Sequence, residues 1–254
     1  MQTVAPESSP QAYARMAGVF HLLEAVTSTF GHVILPGLIV SGSAAATAAN
    51  ILGNEPLFWW GFASTIIGVL FHIAWILLFY FLFKPVNRNI SLLAAFVMLV
   101  GCAFQALTGL LYLAPVRVLT GGGVLSAFTA EQLQALAYVF IKLNALTFDI
   151  YLVFFGCWCV LTGYLIFKST FLPRILGVLL VMEGMGWMTF LSPSLGRFLL
   201  PVIFVTIVLA ELPLMLWLLV KGVNVHKWKE KAGVLADPVG TGVNVRSPCA
   251  PSAT

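Results

Sequence analysis

Residues 18–40 read GVFHLLEAVTSTFGHVILPGLIV, an apolar run interrupted by a few polar side chains. Four side chains with ionisable or hydroxyl groups in this run are spaced by three, four and four residues: His21, Glu24, Ser28 and His32. At about 100° per residue, these side chains fall within roughly 80° of one helix face. A carboxylate and two imidazoles are costly in contact with lipid. The pattern therefore predicts a helix whose polar face packs against protein or lines a wet cavity.

The composition places this helix in a membrane protein. The chain has 254 residues, of which 60% are hydrophobic and only 9% are charged, whereas a soluble domain carries about 25% charged residues. Six apolar runs are long enough, or nearly so, to cross the hydrocarbon core of a bilayer. We therefore predict an all-α fold, a polytopic transmembrane helical bundle with six spans, at residues 13–40, 57–83, 91–114, 144–167, 175–191 and 198–220.

The segments between and around these spans have signatures of their own. Residues 1–12 predict a disordered lead to a membrane domain at 13–221, and the small residues before the second span predict a short interfacial helix at 44–52. Thr129 and Gln132 form a capping box, and no helix breaker follows until after Lys168. This predicts one long helix, about 130–168, that enters the fourth span through an amphipathic interfacial part.

Basic residues are distributed unevenly between the two ends of the predicted spans. Ten of the thirteen Lys and Arg residues lie on the side of the two termini, and three lie on the opposite side: Arg117, Lys142 and Arg197. Because cytoplasmic loops carry the excess of Lys and Arg, this predicts that both termini are cytoplasmic. Basic residues at span ends are typical of contacts with lipid headgroups, so the pI of about 9.0 does not indicate nucleic acid as a partner.

The segment after the last span, 222–254, predicts a basic tail that then becomes disordered. Lys227, Lys229 and Lys231 bracket Trp228 just past the predicted span. Basic clusters in this position bind anionic lipid headgroups. We therefore predict membrane lipids as partners, with anionic headgroups at this tail.

Several local signatures resemble one family of membrane proteins. They are ARMAG (14–18), FLFKPVNRNISLLAA (81–95), FTAEQLQALA (128–137), FFGCWCVLTGYLIFKSTFLPRILGVLL (154–180) and ELPLMLWLLVKGVN (211–224). Together they resemble DUF4386, a family of uncharacterised bacterial integral membrane proteins, over nearly the whole chain except the tail. The resemblance implies a multi-pass protein of a bacterial cytoplasmic (inner) membrane, and it supplies no activity and no site residue.

Four ionisable side chains lie at one predicted depth, about 13–17 Å from the basic side of the membrane: Glu24, His72, Glu183 and Glu211. A carboxylate in hydrocarbon needs a partner or a proton. With His21 as a further member, these residues predict a cluster near the bilayer midplane that relays protons or holds a ligand. Close carboxyls cannot all be charged in a low dielectric, so at least one is expected to keep its proton near neutral pH.

A second polar set lies nearer the opposite surface: His32, Gln105 and Asp149. Lys142 is seven positions before Asp149 on one face of the predicted fourth helix. That separation is too large for direct contact, so the pair predicts a local structural role at the outer interface.

Three functions fit these features. We favour a transporter-like or small-ligand-binding protein that uses the midplane cluster. The alternative is a non-catalytic membrane interaction or sensor protein whose buried charges are structural. A third is a haem- or metal-dependent membrane enzyme, with haem b held by two of His21, His32 and His72. Axial histidines should face one another at one depth, and these three differ in depth. The chain has no HExxH and no GxSxG motif, so we predict no catalytic residue, no cofactor and no metal ligand.

Overall fold

The computed structural model describes residues 9–234, except for the side chains of residues 30 and 32–35. All regular elements in this range are helical, and 3₁₀ turns occur at Gly123–Ala127 and Thr189–Leu191. The α-helices are α1 Pro10–Leu38, α2 Ala44–Gly53, α3 Glu55–Phe83, α4 Arg88–Thr120, α5 Ala130–Ser169, α6 Arg174–Met188, α7 Pro193–Val220 and α8 Val225–Lys231. For the described residues, the prediction of an all-α fold is confirmed.

Five helical segments are long and apolar enough to cross a membrane: α3, α4, α5, α6 with the 3₁₀ turn that follows it, and α7. Helix α1 is 29 residues long but is not one of the five. The chain is therefore a multi-pass helical membrane protein, and its sixth span stays a prediction.

Two helices predicted at the edges of the apolar runs are present in the structure, and their interfacial location stays a prediction. Helix α2, Ala44–Gly53, occupies the segment predicted as a short helix. Helix α5 runs without interruption for 40 residues, and Thr129 and Gln132 close its N-terminus with the predicted capping box. Because the backbone groups between its two end turns bond to one another, a continuous helix can enter hydrocarbon without leaving unpaired backbone groups along its length.

The clearest differences from the predicted bounds lie in α1 and α4. Helix α1 begins at Pro10, inside the segment predicted as disordered, because a proline fits the first turn of a helix, where its missing N–H leaves no gap. Helix α4 continues through Pro115 to Thr120, six residues past the predicted end. One proline removes only one backbone donor. The helix ends instead where Gly121–Gly123 adopt φ values of 64°, 106° and 56°.

The six long helices pack as a closed ring. They contact one another in the order α1, α3, α4, α5, α6 and α7, and α7 returns to contact α1. Helix α2 packs on α4 and α5. Large aromatic side chains of α3 and α5 form the centre of the buried core: Trp75, Phe79, Tyr151, Phe155 and Trp158.

The polar face of α1 is turned toward protein. His21 and Glu24 are only 4% and 8% exposed. Helix α3 contacts this face at Gly68, where the backbones come close together. A Cβ atom at Gly68 would lie 2.9 Å from Oγ1 of Thr27 and 3.1 Å from Oγ of Ser28. The close approach of the two backbones brings the polar side chains of α1 within reach of α3 and α4.

Four glycines form the contact between α5 and α6. Gly156 faces Gly184, and Gly163 faces Gly177. A Cβ atom at any of the four would lie 2.5–2.7 Å from the facing carbonyl oxygen, closer than such atoms approach in proteins. We call these four residues the glycine seam. Small residues at such contacts let helix backbones approach closely in lipid, where van der Waals packing drives association.

The residues after α7 fold back onto the bundle through α8, which the sequence patterns did not predict. Nε1 of Trp228 donates a hydrogen bond to the Leu82 carbonyl at 2.8 Å, and Nε2 of Gln11 donates to the Lys221 carbonyl at 2.9 Å. Trp228 therefore anchors α8 to α3, a role that its assignment as a headgroup contact did not include. The predicted disorder of 1–8 and of 235–254 lies outside the described residues.

Replacing a glycine of the seam with alanine should force α5 and α6 apart. For Gly163→Ala we expect a loss of about 1–3 kcal/mol of unfolding free energy, as is typical of overpacked cores, measured by denaturant titration in detergent micelles. Gly53→Ala is the matched control, because nothing lies within 4 Å of a Cβ atom at that position. Equal stability of the two variants would contradict the close packing of the seam.

Candidate functional site

One polar network joins α1, α3 and α4. Oε1 of Glu24 accepts hydrogen bonds from Oγ of Ser28 at 2.6 Å and from Nε2 of Gln105 at 3.3 Å. Oε1 of Gln105 lies 3.1 Å from Nδ1 of His72, and that nitrogen is 3.6 Å from Oε1 of Glu24. The structure thus brings together Glu24 and His72, which were predicted as one cluster, and adds Gln105 between them.

A second group of titratable side chains joins α1, α6 and α7. Nε2 of His21 lies 3.9 Å from Oε2 of Glu211. Glu183 is fully buried and accepts a hydrogen bond from Nε1 of Trp187 at 3.0 Å. The carboxyl groups of Glu183 and Glu211 lie close enough to interact with each other, while Oε2 of Glu183 makes no hydrogen bond to any described residue.

Trp75 connects the two groups through its indole ring. The ring stacks on His21 with centroids 4.8 Å apart and on His72 with centroids 4.9 Å apart. Glu24 acts electrostatically on both His21 and Glu211. The five residues predicted as a midplane cluster therefore occupy one continuous region, although they do not meet at a single point.

The predicted outer set does not stay together. Gln105 belongs to the buried network with Glu24 and His72, so the structure joins it to the predicted midplane cluster and not to Asp149. The side chain of His32 lies outside the described part of the chain.

Asp149, the third member of that set, pairs with Arg197 and not with a residue of its own helix. Nη2 of Arg197 donates to Oδ2 of Asp149 at 2.8 Å. The side chain of Asp149 is 10% exposed and that of Arg197 is 56% exposed. Lys142 instead lies over the ring of Tyr138, with Nζ 5.1 Å from the centroid.

A cleft of about 730 Å³ lies between α1, α5 and α7 and reaches this region. Its charged lining residues are Glu24, Asp149, Arg197 and Glu211. Six aromatic side chains line it as well: Phe148, Tyr151, Phe155, Trp187, Phe190 and Phe204. The cleft thus joins one group from the predicted outer set to two carboxyls of the midplane cluster. Among the described residues, no group of three or more His, Cys, Asp and Glu side chains has the arrangement of a metal site.

Sequence patterns did not assign Trp75, Trp187 or Arg197 to this site. Trp187 is four positions after Glu183, one helical turn away, and that spacing could have indicated its hydrogen bond to the carboxylate. Arg197 is one of the three basic residues predicted on the opposite side of the membrane, and it lies 48 positions after Asp149. No local pattern links residues on different helices, so only their packing shows this ion pair.

Removing Arg197 should cost more stability than removing the whole ion pair. In Arg197→Gln the poorly exposed Asp149 carboxylate loses its charged partner, and we expect a loss of about 1–3 kcal/mol, the usual cost of an unsatisfied polar group. The double variant Arg197→Gln, Asp149→Asn should recover part of that loss in the same denaturant titration. Additive losses in the double variant would show that the pair does not couple.

Comparison with known proteins places the chain in a family. Neither a curated protein nor a solved structure matches the chain. A protein family matches residues 16–222, which contain most of the helical ring and every member of the candidate site from His21 to Glu211. Because that match covers more than half of the chain, the chain belongs to the family described as Domain of unknown function (DUF4386), the family that its local signatures resemble.

Proposed function

We propose that this chain is a transporter-like, ligand-binding membrane protein that takes a small organic cation with an apolar body into its cleft. The observation that carries the proposal is the composition of the cleft, in which three carboxyl side chains and one guanidinium occur among six aromatic side chains. The charge of the lining favours a positively charged ligand, and the aromatic walls favour one with an apolar body.

The charge preference follows from how the lining residues are paired. Arg197 is bound to Asp149 at 2.8 Å, so this pair is already neutralised. Among the described residues, the basic side chains paired with Glu24 and Glu211 are the imidazoles of His72 and His21, at 3.6 Å and 3.9 Å. A carboxylate in a medium of low dielectric is stabilised by an opposite charge within a few ångströms. A bound cation would supply that charge to either carboxyl.

The size and the walls of the cleft support the same class of ligand. A volume of about 730 Å³ lies within the range of about 300–1,000 Å³ that is usual for small-molecule sites. Aromatic faces attract cations through their quadrupole, most strongly where water is excluded. Tyr151, Phe155 and Trp187 line the cleft beside the carboxyls, and they would contact the apolar body of the ligand or its charged group.

The paired carboxyls behind the cleft could couple ligand binding to the release of a proton. Glu211 lines the cleft and interacts with Glu183, which does not line it. Two adjacent carboxyls favour sharing a proton over carrying two charges. Binding of a cation beside Glu211 would displace such a proton, so that ligand and proton would exchange. Pumps and transporters build proton relays from Asp, Glu and His side chains in the membrane interior.

The proposal includes a location and an orientation. The chain would lie in a bacterial cytoplasmic membrane with six spans, α1 being the sixth span, and with both termini in the cytoplasm. In support, Lys84 and Arg88 lie around one cavity with two lysines of α8, Lys229 and Lys231, at one end of the bundle. An excess of basic residues is expected on the cytoplasmic side.

The charge preference can be tested with two ions of similar size and opposite charge. In neutral detergent micelles, tetraphenylphosphonium should raise the melting temperature of the purified protein, and tetraphenylborate should not. Glu24→Gln and Glu211→Gln should each weaken phosphonium binding about tenfold, because each variant removes a negative charge whose attraction to the cation is stronger in the protein interior than in water.

Glu131→Gln serves as the matched control, because Glu131 is exposed and does not line the cleft. It should bind tetraphenylphosphonium as the unmodified protein does. Equal stabilisation by both ions, or equal weakening in all three variants, would indicate non-specific partitioning and would overturn the cation site.

Coupling to protons predicts a pH dependence of binding. A permanent cation competes with protons for the carboxyls, so its affinity for the unmodified protein should rise with pH. Glu183→Gln keeps the acceptor for Nε1 of Trp187 and removes one of the interacting carboxyls. The variant should bind tetraphenylphosphonium at high pH and show a smaller change in Kd with pH, measured by equilibrium dialysis.

An unchanged pH profile in Glu183→Gln would contradict the coupling. It would favour the alternative in which the buried carboxyls are structural and the chain is a membrane interaction or sensor protein. The hydrogen bonds that Ser28 and Gln105 donate to Glu24 are the observation that favours that alternative, since they satisfy one carboxyl without a ligand.

A further inference from the structure

A second cavity lies at the basic end of the bundle and shares no lining residue with the cleft. It has a volume of about 660 Å³ and is bounded by the start of α1, the turn between α3 and α4, and α8. Its cationic lining residues are Lys84, Arg88, Lys229 and Lys231. No Asp or Glu among the described residues lines it. The cavity therefore concentrates positive charge from two separate parts of the chain.

These four cations have no carboxylate partner in the described part of the chain. Its ion pairs join His21 to Glu211, His72 to Glu24 and Arg197 to Asp149. Four like charges around one cavity repel one another, and an anion between them removes that repulsion. A phosphate group matches this site, since Arg and Lys are the side chains that bind phosphate oxygens.

The remaining walls of the cavity are apolar. Tyr13 stacks on Phe81 with ring centroids 5.7 Å apart, and Pro85 and Trp228 also line the cavity. Phe81 is 37% exposed and lies two residues before the end of α3. An anion with an attached apolar part fits such walls better than a free inorganic phosphate does.

The position of α8 determines which of its lysines line the cavity. The hydrogen bond from Trp228 to Leu82 holds α8 against α3, and Oδ1 of Asn224 caps the helix by accepting from the Lys227 amide at 3.1 Å. With α8 held in this way, Lys229 lines the cavity and is half-buried, whereas Lys227 is exposed and does not line it. Two lysines on one short helix therefore differ in their relation to the cavity.

We infer that this cavity is a binding site for one anionic phospholipid, whose phosphate lies among Lys84, Arg88, Lys229 and Lys231 and whose glycerol and upper acyl chains lie against the aromatic wall. The site would tie α8 to the membrane surface and to the ends of α1 and α3. It is independent of the cation site proposed for the cleft, because the two share no residue.

The test uses the full-length protein in neutral detergent and native mass spectrometry. Phosphatidylglycerol, phosphatidylcholine and inorganic phosphate are added separately, and the fraction of protein that keeps one bound molecule is measured. We expect one retained phosphatidylglycerol, several-fold weaker retention of phosphatidylcholine, and weaker binding of inorganic phosphate. Lys229→Gln and Arg88→Gln should each lower phosphatidylglycerol affinity about fivefold, the effect of one basic residue at an anionic lipid surface.

Lys227→Gln is the matched control, since it removes the same charge from the same helix outside the cavity. Retention in this variant should equal that of the unmodified protein. Equal losses in Lys227→Gln and Lys229→Gln would show diffuse attraction to the tail and would overturn the site. Equal retention of phosphatidylcholine, or inorganic phosphate binding as tight as that of the lipid, would overturn the assignment to an anionic phospholipid.

Discussion

In the hydrocarbon part of a bilayer, no water completes the hydrogen bonds of a polar side chain, so each buried polar group must find its partners within the protein. Glu24 illustrates this constraint most clearly. Its carboxylate lies in an apolar helix and obtains hydrogen bonds from Ser28 on the same helix and from Gln105 on α4. Gln105 in turn lies against His72 of α3. Satisfying one carboxylate therefore fixes the rotation and the depth of three helices relative to one another.

Close packing between α5 and α6, on the other side of the ring, likewise surrounds a polar side chain with protein. The glycine seam presses α6 against α5, and Gly184 of that seam directly follows Glu183 in the sequence. The residue that must be small and the residue that must be buried are thus adjacent. The contact that excludes a Cβ atom at Gly184 also places Glu183 where no lipid or water reaches it, with Trp187 as its donor and Glu211 as its neighbour.

Much of the candidate site could be predicted from the sequence, for a physical reason. A carboxylate or imidazole inside an apolar run is so costly that its position alone indicates an inward face, and this reasoning identified His21, Glu24, His72, Glu183 and Glu211. The contact of Gln105 with Glu24 could not be predicted, because the position of a residue along its own helix does not show which side chains of neighbouring helices it meets. The ion pair of Asp149 with Arg197 could not be predicted, because the two residues lie on helices that are not consecutive in the chain.

The sequence by itself determined the class of the protein, the number of apolar runs, the long continuous α5 and the concentration of basic residues at one end. These features depend on local chemistry, namely the hydrophobicity of each run and the capping and breaking residues at its ends. Only the tertiary structure decided the order of helices around the ring, the cleft that joins the midplane carboxyls to Asp149 and Arg197, and the return of α8 to α3. Helical periodicity shows which face of a helix is polar, but it does not show which neighbour that face meets. That choice depends on shape, through contacts such as the glycine seam, and on polar partners that are distant in the chain.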